Sequence, residues 1–143
     1  ETLKSVIDSV CNVNPNSNIL LMGDFNDSPE DESILNLTAS SGKCRLTNVE
    51  LQHRNMDVKG TLKYRSEWSY FDQFMVSSTL LTEKTNLKIK NESGRVFDAS
   101  FLLEKDDKHL GVKPKRTHIG FKYNAGFSDH LPIIIDIFAI NTE

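Results

Sequence analysis

An excess of basic residues is missing from this 143-residue chain. Seventeen Lys and Arg stand against 20 Asp and Glu, for a formal net charge of -3 and a sequence pI near 5.8. A whole-chain electrostatic footprint for nucleic acid is thereby excluded, whereas a local basic strip is not. Cysteine is scarce. Cys11 and Cys44 are too few for a disulfide framework or a common zinc site. No catalytic Cys–His pattern accompanies them, so both read as buried or half-buried thiols. Long apolar runs are absent, and none approaches membrane-spanning length. There is no internal repeat, low-complexity tract or linker, and no signal peptide. The first residue is Glu1, which reads as a processed product or a piece of a longer chain. The two Asn-x-Ser/Thr triplets, at Asn36 and Asn91, are short enough to arise by chance and carry no weight.

What is present is a globular composition, with 38% hydrophobic and 26% charged residues, enough for a single domain over residues 1–143 with a real core. Residues 2–10 carry Leu3, Val6, Ile7 and Val10 at helical spacing. Residues 18–24 read as a buried strand. Ser28 as N-cap, Pro29 at the first helical position and Asp31 near the capping-box position start a short helix over 29–37, with Ile34, Leu35 and Leu37 inward and a stop at residues 40–42. Residues 43–59 read mostly as loop and 61–64 as a brief extended segment. Residues 68–76 form the clearest middle strand, with Trp68, Tyr70, Asp72, Phe74 and Val76 on one face. A helical turn is expected at Leu80 and Leu81. Two short strands, 87–90 and 95–97, flank Gly94 in hairpin fashion. Residues 101–103 read as a small apolar plug. Residues 131–140 form a near-continuous β-branched core strand.

Three places carry polar residues where the pattern calls for apolar ones. Gly23-Asp24-Phe25-Asn26 ends the first strand, and an extended backbone would place Asp24 and Asn26 on one face. Turn chemistry alone also accounts for that pair, because Asp and Asn cap their own backbone after strands. Asp72 sits in mid-strand between aromatics. A buried carboxylate needs a partner; an edge strand turned to water would relieve the same cost. Ser128-Asp129-His130-Leu131-Pro132 sets a polar triplet directly before the most apolar segment. His130 serves either as a strand-start residue or as the partner of Asp72, an imidazole held by a carboxylate. Asp129 is a candidate oxygen ligand for a hard cation. The strip Lys113-Pro114-Lys115-Arg116-Thr117-His118, with Lys122 and Tyr123, is either a solvated loop or a phosphate contact. His53 and His109 read as surface residues.

Taken in order, these motifs resemble the C-terminal half of the endonuclease/exonuclease/phosphatase family, the DNase-I-like fold, over residues 19–137. The resemblance implies an α/β architecture: a largely antiparallel β-sheet with packed helices, one half of a four-layer α/β sandwich. It implies a phosphoesterase using Mg²⁺, with Mn²⁺ as an alternative. By similarity Asp24 activates the attacking water and Asn26 binds the phosphoryl group. His130 stabilises charge on it, Asp72 fixes the imidazole, and Asp129 helps hold the metal or positions groups around it. Lys115, Arg116 and Tyr123 are the expected substrate-binding residues. The family's N-terminal half, with its metal-binding Glu and early Asn, has no counterpart in these residues, and Glu1 and Glu50 stand in the wrong context to replace that Glu. The expected partners are therefore a nucleic acid or other phosphate ester, the missing half of the domain, and a second copy covering an exposed face. A nuclease-like phosphodiesterase is the first expectation, with the fragment by itself catalytically incomplete. A phosphatase or phosphodiesterase acting on inositol phosphates or phospholipids, and a non-catalytic binding module, are the alternatives.

Overall fold

The structure, a computed structural model, describes residues 2–39, 44–82 and 85–140. Among these, two helices and thirteen short strands occur in the order α1 (Thr2–Val13), β1 (Leu20–Asp24), α2 (Glu32–Thr38), β2 (Leu46–Asn48), β3 (Leu62–Tyr64), β4 (Glu67–Ser69), β5 (Asp72–Ser77), β6 (Leu87–Ile89), β7 (Arg95–Val96), β8 (Leu103–Lys105), β9 (Val112–Pro114), β10 (His118–Ile119), β11 (Lys122–Tyr123), β12 (Ile133–Ile134) and β13 (Ile137–Ala139). All strand pairings are antiparallel; a single isolated bridge, Gln52 to Arg95, is parallel. This is an α/β chain with mostly antiparallel strands, as the family resemblance implies.

The largest sheet has the order β1-β5-β2. Its central strand β5 is buried from Gln73 to Ser77, which suits a run of Phe74, Met75 and Val76 with neighbours on both edges. α1 packs beside this sheet through Ile7 and Cys11, one turn apart, against Cys44 and Leu46. Leu3, Val6 and Val10, expected on the same inward stripe, are exposed. Cys11 and Cys44 are not thiols but a disulfide, with Cα atoms 5.8 Å apart. Their sequence separation of 33 conceals the contact. It arises because the helix turns Cys11 onto its buried side, just where the chain enters β2.

Several expected elements are shorter than the apolar pattern suggests. α2 starts at Glu32 with Asp31 as N-cap, not at Pro29. The Ser28 amide donates to the Asp31 carboxylate at 2.6 Å, so the Ser28–Asp31 pair closes a turn ahead of the helix. Leu35 is exposed, and only Ile34 is fully buried. The stop expected at residues 40–42 lies outside the described residues. The strand expected over 68–76 breaks at Tyr70 and Phe71. β4 folds back onto β3, while β5 joins β1 and β2. Gly60 permits that fold-back: a Cβ there would lie 2.6 Å from the Ser69 carbonyl oxygen.

The hairpin expected around Gly94 does not form. β6 pairs with β13 and β7 with β12. The apolar run 131–140 is accordingly two strands, bent at Ile135 and Asp136. The Asp136 carbonyl accepts the Lys90 amide at 3.0 Å, and its amide donates to the Ser93 hydroxyl at 3.1 Å. Ile137 and Phe138 of this run are exposed rather than core. The apolar plug is a 3-10 turn whose Leu102 is buried and whose Phe101 is not. Val58, Val96, Leu102 and Leu131 form a second core beneath it. Beside this core Lys63 is buried against Asp106 at 3.0 Å. The ammonium also donates to the carbonyls of Leu110 and Val112, and the carboxylate accepts the Lys108 and His109 amides. No helix among the described residues is long and apolar enough to cross a membrane.

Candidate active site

β1 and β5 end together. Their register places Asp24 directly opposite Asp72, so the two carboxylates leave the same face of the sheet about 5 Å apart at the backbone. Asp24 is exposed and Asp72 half-buried. Just past β1 the Phe25 amide donates to the Phe71 carbonyl at 2.9 Å, holding the strand ends together. Asn26 then turns to a φ of 53°, a left-handed conformation that Asn tolerates better than most residues. The same-face argument for Asp24 and Asn26 therefore fails, because Asn26 is no longer extended. A turn replaces it: the Asp24 Oδ1 accepts the Asn26 amide at 2.9 Å. That bond orients the Asp24 carboxylate and leaves Oδ2 outside the turn.

His130, 58 residues on from Asp72, reaches this sheet end through an antiparallel bridge to Leu62. Its Nδ1 lies 2.7 Å from the Asp72 Oδ2. An ionised carboxylate only accepts, so Nδ1 carries the shared proton and Nε2 is left as the ring nitrogen for other chemistry. The side chains are 23% and 17% exposed, too enclosed for a free surface pair and too open for a core one. Leu131, buried in the second core, anchors the next residue. The Ser128 hydroxyl accepts the His130 amide at 3.1 Å, the same kind of turn closure that Asp24 makes.

Thr61 joins the two halves of this pair. It is wholly buried. Its carbonyl accepts the Leu131 amide at 2.8 Å and its amide donates to the Ser69 carbonyl at 2.8 Å. Its hydroxyl accepts the Asp72 amide at 3.2 Å and donates to the Ser69 carbonyl at 3.3 Å. Behind the sheet, buried Gln73 donates to the Asp27 carbonyl at 2.6 Å and accepts from Asn48 at 2.6 Å, which fixes the loop after Asp24. Sequence reasoning passed over both residues. The extended segment at 61–64 was legible; a lone Thr and a lone Gln give no sign that they bridge segments far apart in the chain.

Asp129 is half exposed and faces Arg116, with Oδ2 3.8 Å from Nη2. Arg116, Thr117, His118, Phe127, Ser128 and Asp129 line one open cleft. Tyr123 stands on the hairpin β10–β11, its ring against His118 with centroids 5.4 Å apart. Lys115 is half-buried and spends its backbone on Leu102 and Phe127. The site residues thus fall into two groups: Asp24, Asn26, Asp72 and His130 at the sheet end, and Arg116, Asp129 and Tyr123 around the cleft. His53 is not solitary, since its Nδ1 lies 3.3 Å from the Tyr70 hydroxyl. Burial, and secondarily the Glu50 carboxylate, hold the Tyr70 phenol above its ordinary pKa of 10.0.

The oxygen donors Asp24, Asn26 and Asp129 have the chemistry that a hard cation prefers. They do not form a cage: among the described residues no three His, Cys, Asp or Glu side chains converge to hold a metal ion.

Comparison with curated proteins and with solved structures finds no match. Comparison with protein families finds one that matches residues 1–139, nearly the whole chain, described as the endonuclease/exonuclease/phosphatase family. Matched along nearly its whole length, the chain belongs to the endonuclease/exonuclease/phosphatase family.

Proposed function

We propose that the chain is the catalytic half of a metal-dependent phosphodiesterase of nuclease type. The observation that carries this reading is the Asp72–His130 pair, standing beside Asp24 across the β1–β5 register. The family's members typically hydrolyse phosphoester bonds. In-line attack on a phosphate needs an activated water and stabilisation of the charge that develops on the phosphoryl oxygens. Asp24 takes the water's proton, with its carboxylate aimed by the Asn26 amide. Asn26 donates to the phosphoryl group. His130 presents Nε2 to the phosphoryl oxygens, and Asp72 holds the ring in the tautomer and orientation that this requires. Arg116, Lys115 and Tyr123 contact the remainder of the substrate.

Asp129 is the metal ligand this half contributes. Mg²⁺, with Mn²⁺ able to substitute, would neutralise charge on the phosphate. The further ligands come from a second half of the domain, which would complete the four-layer sandwich, or from a second copy. The exposed Val6 and Val10 of α1, Met22 on the edge strand β1, and Ile137 and Phe138 on β13 are apolar surface that such a partner could cover.

A substrate panel tests the reading. In Mg²⁺, the longest natural form of the protein that contains these residues is expected to nick plasmid DNA and to cleave an aryl phosphodiester. It is expected to release little inorganic phosphate from inositol phosphates. Phosphate release without nicking would move the assignment to a phosphatase. No hydrolysis of any of the three would leave a binding module.

A further inference from the structure

The hairpin β10–β11 has a rigid base and a bare tip. At the base, the Thr117 hydroxyl donates to the Phe127 carbonyl at 2.6 Å and the Asn124 amide donates to the Thr117 carbonyl at 2.8 Å. The Asn124 side chain bridges Glu104 and the Arg116 carbonyl, at 3.0 and 3.1 Å. Gly126 lies so close to the Lys115 and Arg116 carbonyls that no Cβ fits there. At the tip, Gly120 turns at a φ of 57° and Phe121 is completely exposed. A phenyl ring held fully in water on a clamped hairpin has no role in folding, because it buries no area.

The register divides the hairpin into two faces. His118 lies opposite Tyr123, and Ile119 opposite Lys122. His118 also lines the cleft that ends on Ser128 and Asp129, next in the chain to His130. The hairpin and its flanks are basic in sequence, and of these cations Lys113 pairs with Glu104 and Arg116 faces Asp129 while Lys122 stands exposed. Residues 108–128 contain five Lys and Arg and no Asp or Glu, within a chain whose net charge is -3. Neither face is wholly apolar: one pairs a ring with an imidazole, the other an aliphatic chain with an ammonium. A lipid surface would need an apolar face to immerse, whereas a nucleic-acid strand uses cations and exposed rings together.

We infer that the hairpin over residues 117–124 is a nucleic-acid clamp. Phe121 stacks on an unpaired base, while Lys122 and Arg116 meet phosphates and lead the strand past the His118–Tyr123 face into the cleft beside Asp129. The inference deepens the phosphodiesterase reading and rests on it for the fate of the bound strand, but the binding itself requires no metal and no catalysis.

The test is fluorescence anisotropy of the chain with a labelled single-stranded oligodeoxynucleotide of about 20 nucleotides, in EDTA. Wild type is expected to bind. Phe121→Ala is expected to weaken binding roughly 5- to 150-fold, the range set by loss of one stacked base. Phe121→Trp is expected to restore it. Lys122→Ala is expected to reduce the salt slope of log affinity by about 0.7. Phe121 buries nothing in the fold, so its replacement leaves the folded chain intact, and the unfolding midpoint verifies this. Sedimentation with phosphatidylserine/phosphatidylcholine vesicles runs in parallel. If Phe121→Ala strips the chain from vesicles and leaves oligonucleotide affinity unchanged, the inference is overturned in favour of a lipid surface. If it changes neither, the tip is no contact at all. Phe121-dependent binding without any phosphodiester hydrolysis would refute the proposed activity and leave the clamp standing. Hydrolysis indifferent to Phe121 would do the reverse.

Discussion

His130 has one ring nitrogen to offer because Asp72 occupies the other. The 2.7 Å bond between them depends on two segments 58 residues apart in the chain, and Thr61 ties both down. Thr61→Val keeps the volume and deletes the hydroxyl, which strips the Asp72 amide of its acceptor. The expected cost is about 1–3 kcal/mol, the penalty for a buried donor left unpaired, read from the urea midpoint. The downfield Nδ1 proton resonance of His130 should broaden or shift at the same time, and Thr61→Ser should restore both. A loss of stability with that resonance unmoved would reduce Thr61 to a packing residue. At this scale the sequence was most legible where a residue type is expensive. A half-buried carboxylate demands a partner, and Asp72 has one, although it begins β5 rather than sitting in mid-strand as the pattern suggests. Thr61 and Gln73 were illegible because a small polar residue is cheap anywhere, and only tertiary contact shows which ones are buried. Asn26 misled for a different reason: period-two reasoning holds only while the backbone stays extended, and the chain turns at that residue.

Elements were placed well in the chain where one helix or strand serves one neighbour, as for α1 and β1, but not their burial: Leu3, Val6 and Val10 of α1 are exposed, and β1, expected to be buried, is an edge strand with Met22 exposed. They were misread where a continuous apolar run is shared between two. Trp68 to Val76 and Leu131 to Ile140 look uniform by hydropathy, yet each bends to pair with different strands. Pattern reports which residues avoid water, and it is blind to where such a run changes its pairing partner. The segment between β8 and β9 hangs on the ion pair of Lys63 and Asp106. Burial pushes the Asp106 carboxyl up, but Lys63 and the Lys108 and His109 amides outweigh it and hold its pKa below the ordinary 3.8. A carboxyl with a lowered folded-state pKa stabilises the fold fully above its unfolded value, and that stability disappears as pH falls through the folded one. Lys63→Met is therefore expected to lower the urea midpoint at neutral pH, by an amount that shrinks in acid. An equal deficit at both pH values would mean that the ammonium contributes packing alone. Gly126→Ala forces a methyl into the Lys115 and Arg116 carbonyls. A loss of about 1–3 kcal/mol is expected, typical of overpacking, with the clamp hairpin displaced and oligonucleotide binding weakened.

For the molecule as a whole, the Cys11–Cys44 bridge was the largest surprise, since two cysteines separated by 33 residues carry no local sign of pairing. A loop of that length implies about 3–4 kcal/mol of stabilisation by chain-entropy reasoning. Cys11→Ser with Cys44→Ser should lower the unfolding midpoint accordingly, and reductant should do the same to wild type and nothing to the double variant. The family matched along nearly the whole chain was legible from three short motifs because their order, not any one of them, is improbable. The central claim is that the pair of His130 and Asp72 serves phosphodiester hydrolysis. Its most direct test is Mg²⁺-dependent nicking of plasmid DNA by the longest natural form containing these residues, with wild type beside His130→Ala and Asp72→Asn. The account predicts that wild type nicks, that His130→Ala falls roughly a hundred- to ten-thousand-fold, and that Asp72→Asn falls by less with the fold intact. Nicking by His130→Ala at the wild-type rate would contradict it.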